Sequence, residues 1–193
     1  MAVQMRYGDY VKEGFEVVKA NIAPSAVLVL LMGMPIISLA GPIFLVNYMA
    51  AVKSARTEGK PIEIGALFNF ENALDKWLGL FLCGVAIGLG NLCVIGGIIA
   101  AGLLFFTAPI LADKPGTPFI SAIKASFTFA KGNLVPMIIL AFLIGIVQML
   151  GVFACVIGIF VTLPIGFAAT FIAYEDHKAA IEAAAAEGGV QLA

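Results

Sequence analysis

The chain has 193 residues, 62% hydrophobic and 12% charged, with 11 Lys and Arg against 12 Asp and Glu, net charge -1 and mean hydropathy +1.06. A soluble domain carries roughly 25% charged residues, so this composition does not furnish a water-facing exterior, and lipid is the simplest solvent for most of the surface. High apolar content excludes a disordered chain, the near-zero charge speaks against nucleic acid as a partner, and three Cys in apolar surroundings make no disulfide framework.

Residues 1–19 are polar, and the apolar run behind them is too long for the core of a cleavable signal peptide, so none is expected. Within this segment, 10–18 sets Tyr10, Gly14, Val17 and Val18 against Lys12, Glu13, Glu16 and the neighbouring Lys19, which predicts an amphipathic helix at the membrane surface. The first of three stretches without Asp, Glu, Lys, Arg or His follows at 20–52. Met34-Pro35 and Gly41-Pro42 mark kinks or breaks in it. Its length fits one long kinked helix better than two full crossings, and two shortened re-entrant arms are the alternative if protein buries them. Residues 61–70 predict a second interfacial element through Ile64, Leu67 and Phe68.

The second charge-free stretch, 77–112, is interrupted at Gly88-Leu89-Gly90-Asn91, which predicts segments near 77–90 and 92–112; the first is short for a full crossing and is tilted little, packs as a partial span, or extends back through Leu74. A tight loop at 113–118 leads to a third amphipathic segment, 118–129, with Phe119, Ile123 and Phe127 as its apolar face. The third stretch is 132–174; one straight helix through it would run to roughly 64 Å against a hydrocarbon core of about 30 Å. It therefore folds back near Gln148-Met149-Leu150-Gly151, with spans near 134–150 and 154–173. The Ala-rich tail, 179–193, extends the last helix and frays at Gly188-Gly189. The expected fold is all-α: one helical membrane domain over 1–178, a polytopic transmembrane bundle of five or six membrane segments with short interfacial helices.

A partial internal repeat runs through this plan. Lys19-Ala20-Asn21-Ile22-Ala23-Pro24 recurs as Lys131-Gly132-Asn133-Leu134-Val135-Pro136, each time opening an apolar run. Asn is a good N-cap, Pro in the first helical turn lacks only an N–H that would have no partner, and Lys can snorkel to the headgroups. A second echo, Cys93-Val94-Ile95-Gly96 against Cys155-Val156-Ile157-Gly158, reads as small-residue packing between helices rather than as a metal pair.

The cations set orientation. Arg6, Lys12 and Lys19 precede the first stretch; Lys53, Arg56, Lys60 and Lys76 follow it; Lys114, Lys124 and Lys131 follow the second; Lys178 follows the third. Three hairpins would leave all of them on one side, as cytoplasmic retention of positive charge favours, with the carboxy terminus cytoplasmic. A single span at 20–52 would put the first three on the other side.

Chemistry is sparse. The charge-free stretches hold no ionisable group, His177 sits beside Glu175 and Asp176 at the last run's end, and no triad, zinc set or phosphate loop is present in the sequence. Asn47, Asn91 and Gln148 are the polar residues that could line a pathway, bond helix to helix or cap a break, while Pro42, Pro109 and Pro164 could kink helices and free carbonyls. An enzyme would need Glu71, Asp75, Asp113 and His177 to converge in one cleft. No cofactor is indicated.

Ala112-Asp113-Lys114-Pro115-Gly116, Ala122-Ile123-Lys124-Ala125-Ser126, Lys131-Gly132-Asn133, Leu150-Gly151, Cys155-Val156-Ile157-Gly158, Thr162-Leu163-Pro164-Ile165 and Tyr174-Glu175-Asp176 resemble the second half of a broad family of uncharacterised bacterial multi-span integral membrane proteins. Gly41-Pro42 and Leu67-Phe68 resemble its earlier positions, so the likeness covers most of 14–177, and the short first stretch departs from it. The resemblance implies a bacterial inner-membrane protein and supplies no catalytic residues. The expected function is non-enzymatic: a scaffold or assembly partner in membrane lipid, as a homo-oligomer or with another membrane protein, with a channel or small-solute carrier as the alternative.

Overall fold

A computed structural model describes residues 4–33, 37–92, 94–153 and 155–193, without the side chains of 37, 38, 94, 152, 153 and 155–157. Met34-Pro35 and Cys93 lie outside the described residues. The described elements are helical: α1 (Tyr7–Ala20), α2 (Ile22–Gly33), α3 (Gly41–Glu58), α4 (Ala73–Gly90), α5 (Val94–Leu103), α6 (Thr107–Asp113), α7 (Phe119–Gly132), α8 (Leu134–Phe153) and α9 (Cys155–Glu187), with short 3₁₀ turns at Ile37–Ala40 and Ile64–Phe68. Among the described residues four segments are long and apolar enough to cross a membrane, Ala73–Gly90, Ile95–Asp113, Leu134–Gly151 and Gly158–Glu187, and a fifth is counted if the bent pair α1 and α2 is one span.

The stretch 20–52 is not one kinked helix. Ser25 and Tyr48 share a hydroxyl hydrogen bond of 3.0 Å, and Gly41 approaches the Met32 side chain, so α2 and α3 pair antiparallel as a hairpin. Pro42 lies in the first turn of α3, where it starts the helix rather than bending it. At 12 residues, α2 rises about 18 Å, well short of a hydrocarbon core. The hairpin's tip is shallow: Trp77 Nε1, in the first turns of α4, donates to Leu39 O at 2.6 Å, and α4 runs on to Gly90, about 20 Å further.

Each repeated Asn sits at a joint between an amphipathic helix and an apolar one. Asn21 and Asn133 have nearly the same backbone, φ -133° with ψ 48° and 36°, and each donates its backbone N–H three residues back, to Val18 O and Ala130 O. Their side chains also reach backwards, Asn21 Nδ2 to Val17 O at 2.9 Å and Asn133 Nδ2 to Phe129 O at 3.1 Å. The expected N-cap is therefore a corner: the side chain closes the helix before it, and the Asn carbonyl opens the helix after it. At Asn21 the chain turns by 98°.

The two longer hairpins close on glycine. A Cβ on Gly90 would meet the Gly96 backbone at 2.8 Å, and one on Gly151 would meet Gly158 C at 2.9 Å. The glycines of the repeated Cys-x-x-Gly segments thus lie against glycines across each turn, the small-residue contact by which helices approach closely in lipid. The fold-back of 132–174 falls a few residues later than the Gln148-Gly151 interruption, because α8 continues to Phe153. In the second stretch α4 ends at Gly90, where the sequence places the interruption, and begins at Ala73, ahead of the charge-free run, while the return arm is broken between α5 and α6. Pro109 lies in the first turn of α6, and Ser126 of α7 spans the break, accepting from Phe106 N–H at 3.1 Å and donating to Leu103 O at 2.9 Å. Among the three prolines singled out, only Pro164 lies inside a helix, α9.

α9 is the central helix, touching α1, α2, α3, α6, α7 and α8. Its core face carries Ala168, Ala169, Phe171, Ile172, Ala173 and Tyr174. Helix α1 buries Tyr10, Gly14 and Val18, as its periodicity predicts. In α7 the expected face is rotated: Ala122, Ala125, Ser126, Phe129 and Ala130 are buried against α6 and α9, Phe119 and Ile123 are half-buried, and Phe127 points outward. The 61–70 segment is only a 3₁₀ turn that buries Leu67. The last helix runs unbroken through residue 178 to Glu187 and ends at Gly188-Gly189, with Val190 N–H bonded to Ala185 O and Gly189 at φ +67°.

Gly14 is where α1 presses hardest on α9, since a Cβ there would lie 2.8 Å from Ile165 O and 3.0 Å from Ala169 N, both backbone atoms. We expect Gly14→Leu to destabilise the protein by roughly 1–3 kcal/mol, as overpacking does. Gly84→Ala, where nothing lies within 4 Å, should be neutral or slightly stabilising. Unfolding midpoints in detergent compare the two.

Candidate functional site

The polar groups converge at the end of the bundle opposite the glycine turns. Asp113, at the end of α6 with its side chain 2% exposed, binds Lys53 of α3 at 2.7 Å and Lys178 of α9 at 2.6 Å, and accepts the Tyr174 hydroxyl at 2.9 Å. Arg56 joins Glu13 of α1 and Glu175 of α9, each at 2.8 Å. Arg6 binds Asp176 through both Nε and Nη2. Thus the segment before 20–52 and the segment after it meet the same stretch of α9, and that charge-free run leaves and returns at one end.

Next to this ion-paired end lies a cavity that holds Asn47, singled out from the sequence, together with the buried Lys76. Asn47, 4% exposed in α3, donates to Leu67 O at 2.8 Å and Asn69 O at 2.7 Å, while its Oδ1 accepts Lys76 Nζ at 2.8 Å. Lys76 is 7% exposed and has no carboxylate within ion-pair distance among the described residues; its second bond, to Asn69 O, is 3.4 Å. The cavity, about 210 Å³, is lined by Asn47, Ser54, Asn69, Glu71 and Lys76 on its polar side and by Leu111 and Ala112 on the other. An ammonium carries three donors, so the arrangement holds a cation on neutral oxygens with Glu71 at the rim.

Asn91 and Gln148 lie elsewhere. Asn91 is exposed and ends α4, its backbone N–H bonded to Ile87 O and Gly88 O and its side chain against Gly97. Gln148 borders an apolar cavity of about 480 Å³ with Ala101, Ala141, Gly145 and Leu163, and its side chain covers Gly166 of α9, near Pro164. The three residues line no common cavity among those described.

The residues an enzyme would need have separate partners. Asp113 is consumed by two lysines and a tyrosine, Asp75 Oδ1 accepts Phe119 N–H at 3.1 Å, and His177 Nδ1 lies 2.9 Å from Ala173 O beneath Tyr10 and Phe129. Glu71 alone borders the Lys76 cavity. Among the described residues no group of three His, Cys, Asp or Glu is placed to hold a metal.

The burial of Lys76 is what the sequence reading missed: the residue counts there among the cations between the first and second stretches, although extending the helix back through Leu74 takes it in. The signal that places it in α4 is Asn72, which ends the loop with φ 53°, followed three residues later by Asp75, an acidic side chain in the first turn.

These features define the class of protein: a membrane-embedded, all-α chain with several apolar hairpins and an ion-paired polar end. No family model matches it, and neither the curated proteins nor the solved structures provide a match.

Removing the Asn47 amide leaves Leu67 O without that donor and the buried ammonium with only its 3.4 Å bond to Asn69 O, so Asn47→Ala should cost about 1–3 kcal/mol. Asn47→Ala in a Lys76→Met background should cost measurably less, and the difference in a double-mutant cycle reports their coupling. Asp113→Ala should cost about 2–3 kcal/mol by denaturation in detergent, less than a fully buried pair would, since Lys53 and Lys178 are each 38% exposed.

Proposed function

We propose that this is a non-enzymatic protein of a bacterial inner membrane that acts as a scaffold or assembly partner, through contact with a second copy of itself. Its ion-paired end and carboxy terminus face the cytoplasm, a placement supported by the gathering of Arg6, Lys53, Arg56 and Lys178 there. The α2–α3 hairpin is re-entrant, and the two Asn corners mark a repeated unit of amphipathic helix followed by apolar hairpin.

The observation that carries this reading is uncovered small-residue surface on helices suited to lipid. Gly84 and Gly88, four apart on α4, have nothing within 4 Å of where a Cβ would stand, and Gly145, four residues from Ala141 on α8, is equally open. α4 is only 11% buried over its apolar window, against 56% for α9. Small residues spaced by four let two backbones approach within van der Waals and Cα–H hydrogen-bonding reach, the usual basis of helix association in lipid.

A channel or small-solute carrier is the second reading, and the Asn47–Lys76 cavity favours it. Flux of small solutes into vesicles containing the protein, above empty vesicles and lost in Asn47→Ala, would select that reading.

Photobleaching of labelled protein in lipid nanodiscs tests the first. Two or more copies per disc are expected for the wild type, falling to one in Gly84→Leu/Gly88→Leu. A wild type that is monomeric across lipid-to-protein ratios would overturn it.

A further inference from the structure

The chain's cations divide sharply in what they touch. Of the 11 Lys and Arg, Arg6, Lys53, Arg56, Lys60, Lys114 and Lys178 are in ion pairs, and Lys76 is buried on Asn47. Lys12, Lys19, Lys124 and Lys131 are exposed and have no side-chain partner among the described residues. These four form two matching sets. Lys12, Phe15 and Lys19 on α1 and Lys124, Phe127 and Lys131 on α7 recur at i, i+3 and i+7, which places each set along one face of its helix over about 10 Å. Both phenylalanines point outward, 45% and 44% exposed.

Each stripe then runs into lipid-suited surface. Past the Asn corner, Ile22 in the first turn of α2 is 63% exposed and Val135 in the first turn of α8 is 66% exposed. An unpaired ammonium, an outward aromatic ring, a second unpaired ammonium and an exposed aliphatic side chain, in that order, trace the passage from headgroup to acyl chain.

We propose that the α1 and α7 faces Lys12-Phe15-Lys19 and Lys124-Phe127-Lys131 are two equivalent docking sites for the phosphate-bearing headgroups of anionic phospholipids. Charge complementarity fixes the occupant. The molecule satisfies its other exposed cations with its own carboxylates and leaves these four for outside anions, on faces whose aromatic and aliphatic members suit a bilayer and not a nucleic acid. The sites are unequal in charge. Helix α7 contains no carboxylate, whereas Glu16 on α1 lies within one turn of both Lys12 and Lys19, so α7 binds the anion more tightly. The inference needs the protein to be in a membrane but not to assemble with a second copy.

Titration of the full-length protein in mild detergent with phosphatidylglycerol or phosphatidylcholine, with bound lipids counted by native mass spectrometry, tests it. Phosphatidylglycerol should be retained preferentially, and less so at high salt. Lys124→Gln/Lys131→Gln should weaken its binding by roughly five-fold per lysine, with a smaller loss for Lys12→Gln/Lys19→Gln. Lys124→Arg/Lys131→Arg should keep it, and Lys60→Gln, which removes the same charge from an exposed ion pair, should leave it unchanged. Equal retention of the two lipids, wild-type binding in the variant lacking all four lysines, or the same loss in Lys60→Gln would each overturn the proposal. Copy number per disc is a separate reading, so failure of self-association leaves this result standing.

Discussion

The Asp113 carboxylate ties the bundle together. Almost wholly buried at the end of α6, it is reached by Lys53 from the end of α3 and by Lys178 and Tyr174 from α9. A buried carboxylate persists as an anion only with partners to replace water, and here α3 and α9 must pass the end of α6 at one level to supply them. Arg56, one turn beyond Lys53, extends the same clamp to Glu13 of α1 and Glu175 of α9. The return of each apolar excursion to the polar end is thus fixed by chemistry at that end as well as by the turns at the other.

The turns answer a different constraint. Lipid supplies no hydrogen bonds, so a chain that reverses within or near it must keep its backbone groups satisfied and its arms close. Glycine against glycine at 90 and 96, and again at 151 and 158, lets the arms meet at backbone distance. Where the return arm breaks between α5 and α6, the Ser126 hydroxyl serves one freed carbonyl and one freed N–H, so the break occurs only where α7 is there to cover it. The Asn corners solve the corresponding problem at the polar end, using one residue to finish one helix and begin the next.

Polar residues within apolar segments therefore serve different ends according to depth. Asn91 finishes a helix, Gln148 lies over a glycine beside an apolar hollow, and Asn47 holds a lysine in a cavity near the polar end. Their identity as polar interruptions says nothing about which of these each does: Asn91 acts on its own neighbours, Ile87, Gly88 and Gly97, whereas Gln148 and Asn47 meet Gly166 and Lys76, 18 and 29 residues away.

Sequence by itself determined the solvent and the rhythm. Charge-free runs too long for one crossing demand lipid and demand reversal, and local punctuation located the corners at Asn21 and Asn133, the turn after Gly90 and the end of α9 at Gly188, because glycine, proline and asparagine act through their own backbone neighbours. Tertiary structure alone decided the rest. That 20–52 is a shallow hairpin follows from Trp77 meeting Leu39 and Glu13 meeting Arg56. That α7 buries Ala122, Ala125, Phe129 and Ala130 and turns Phe127 outward follows from the side on which α6 and α9 pack against it. That Lys76 is a buried charge follows from Asn47 standing opposite it. Each depends on contacts between residues remote in the chain, whose free energy no local pattern encodes.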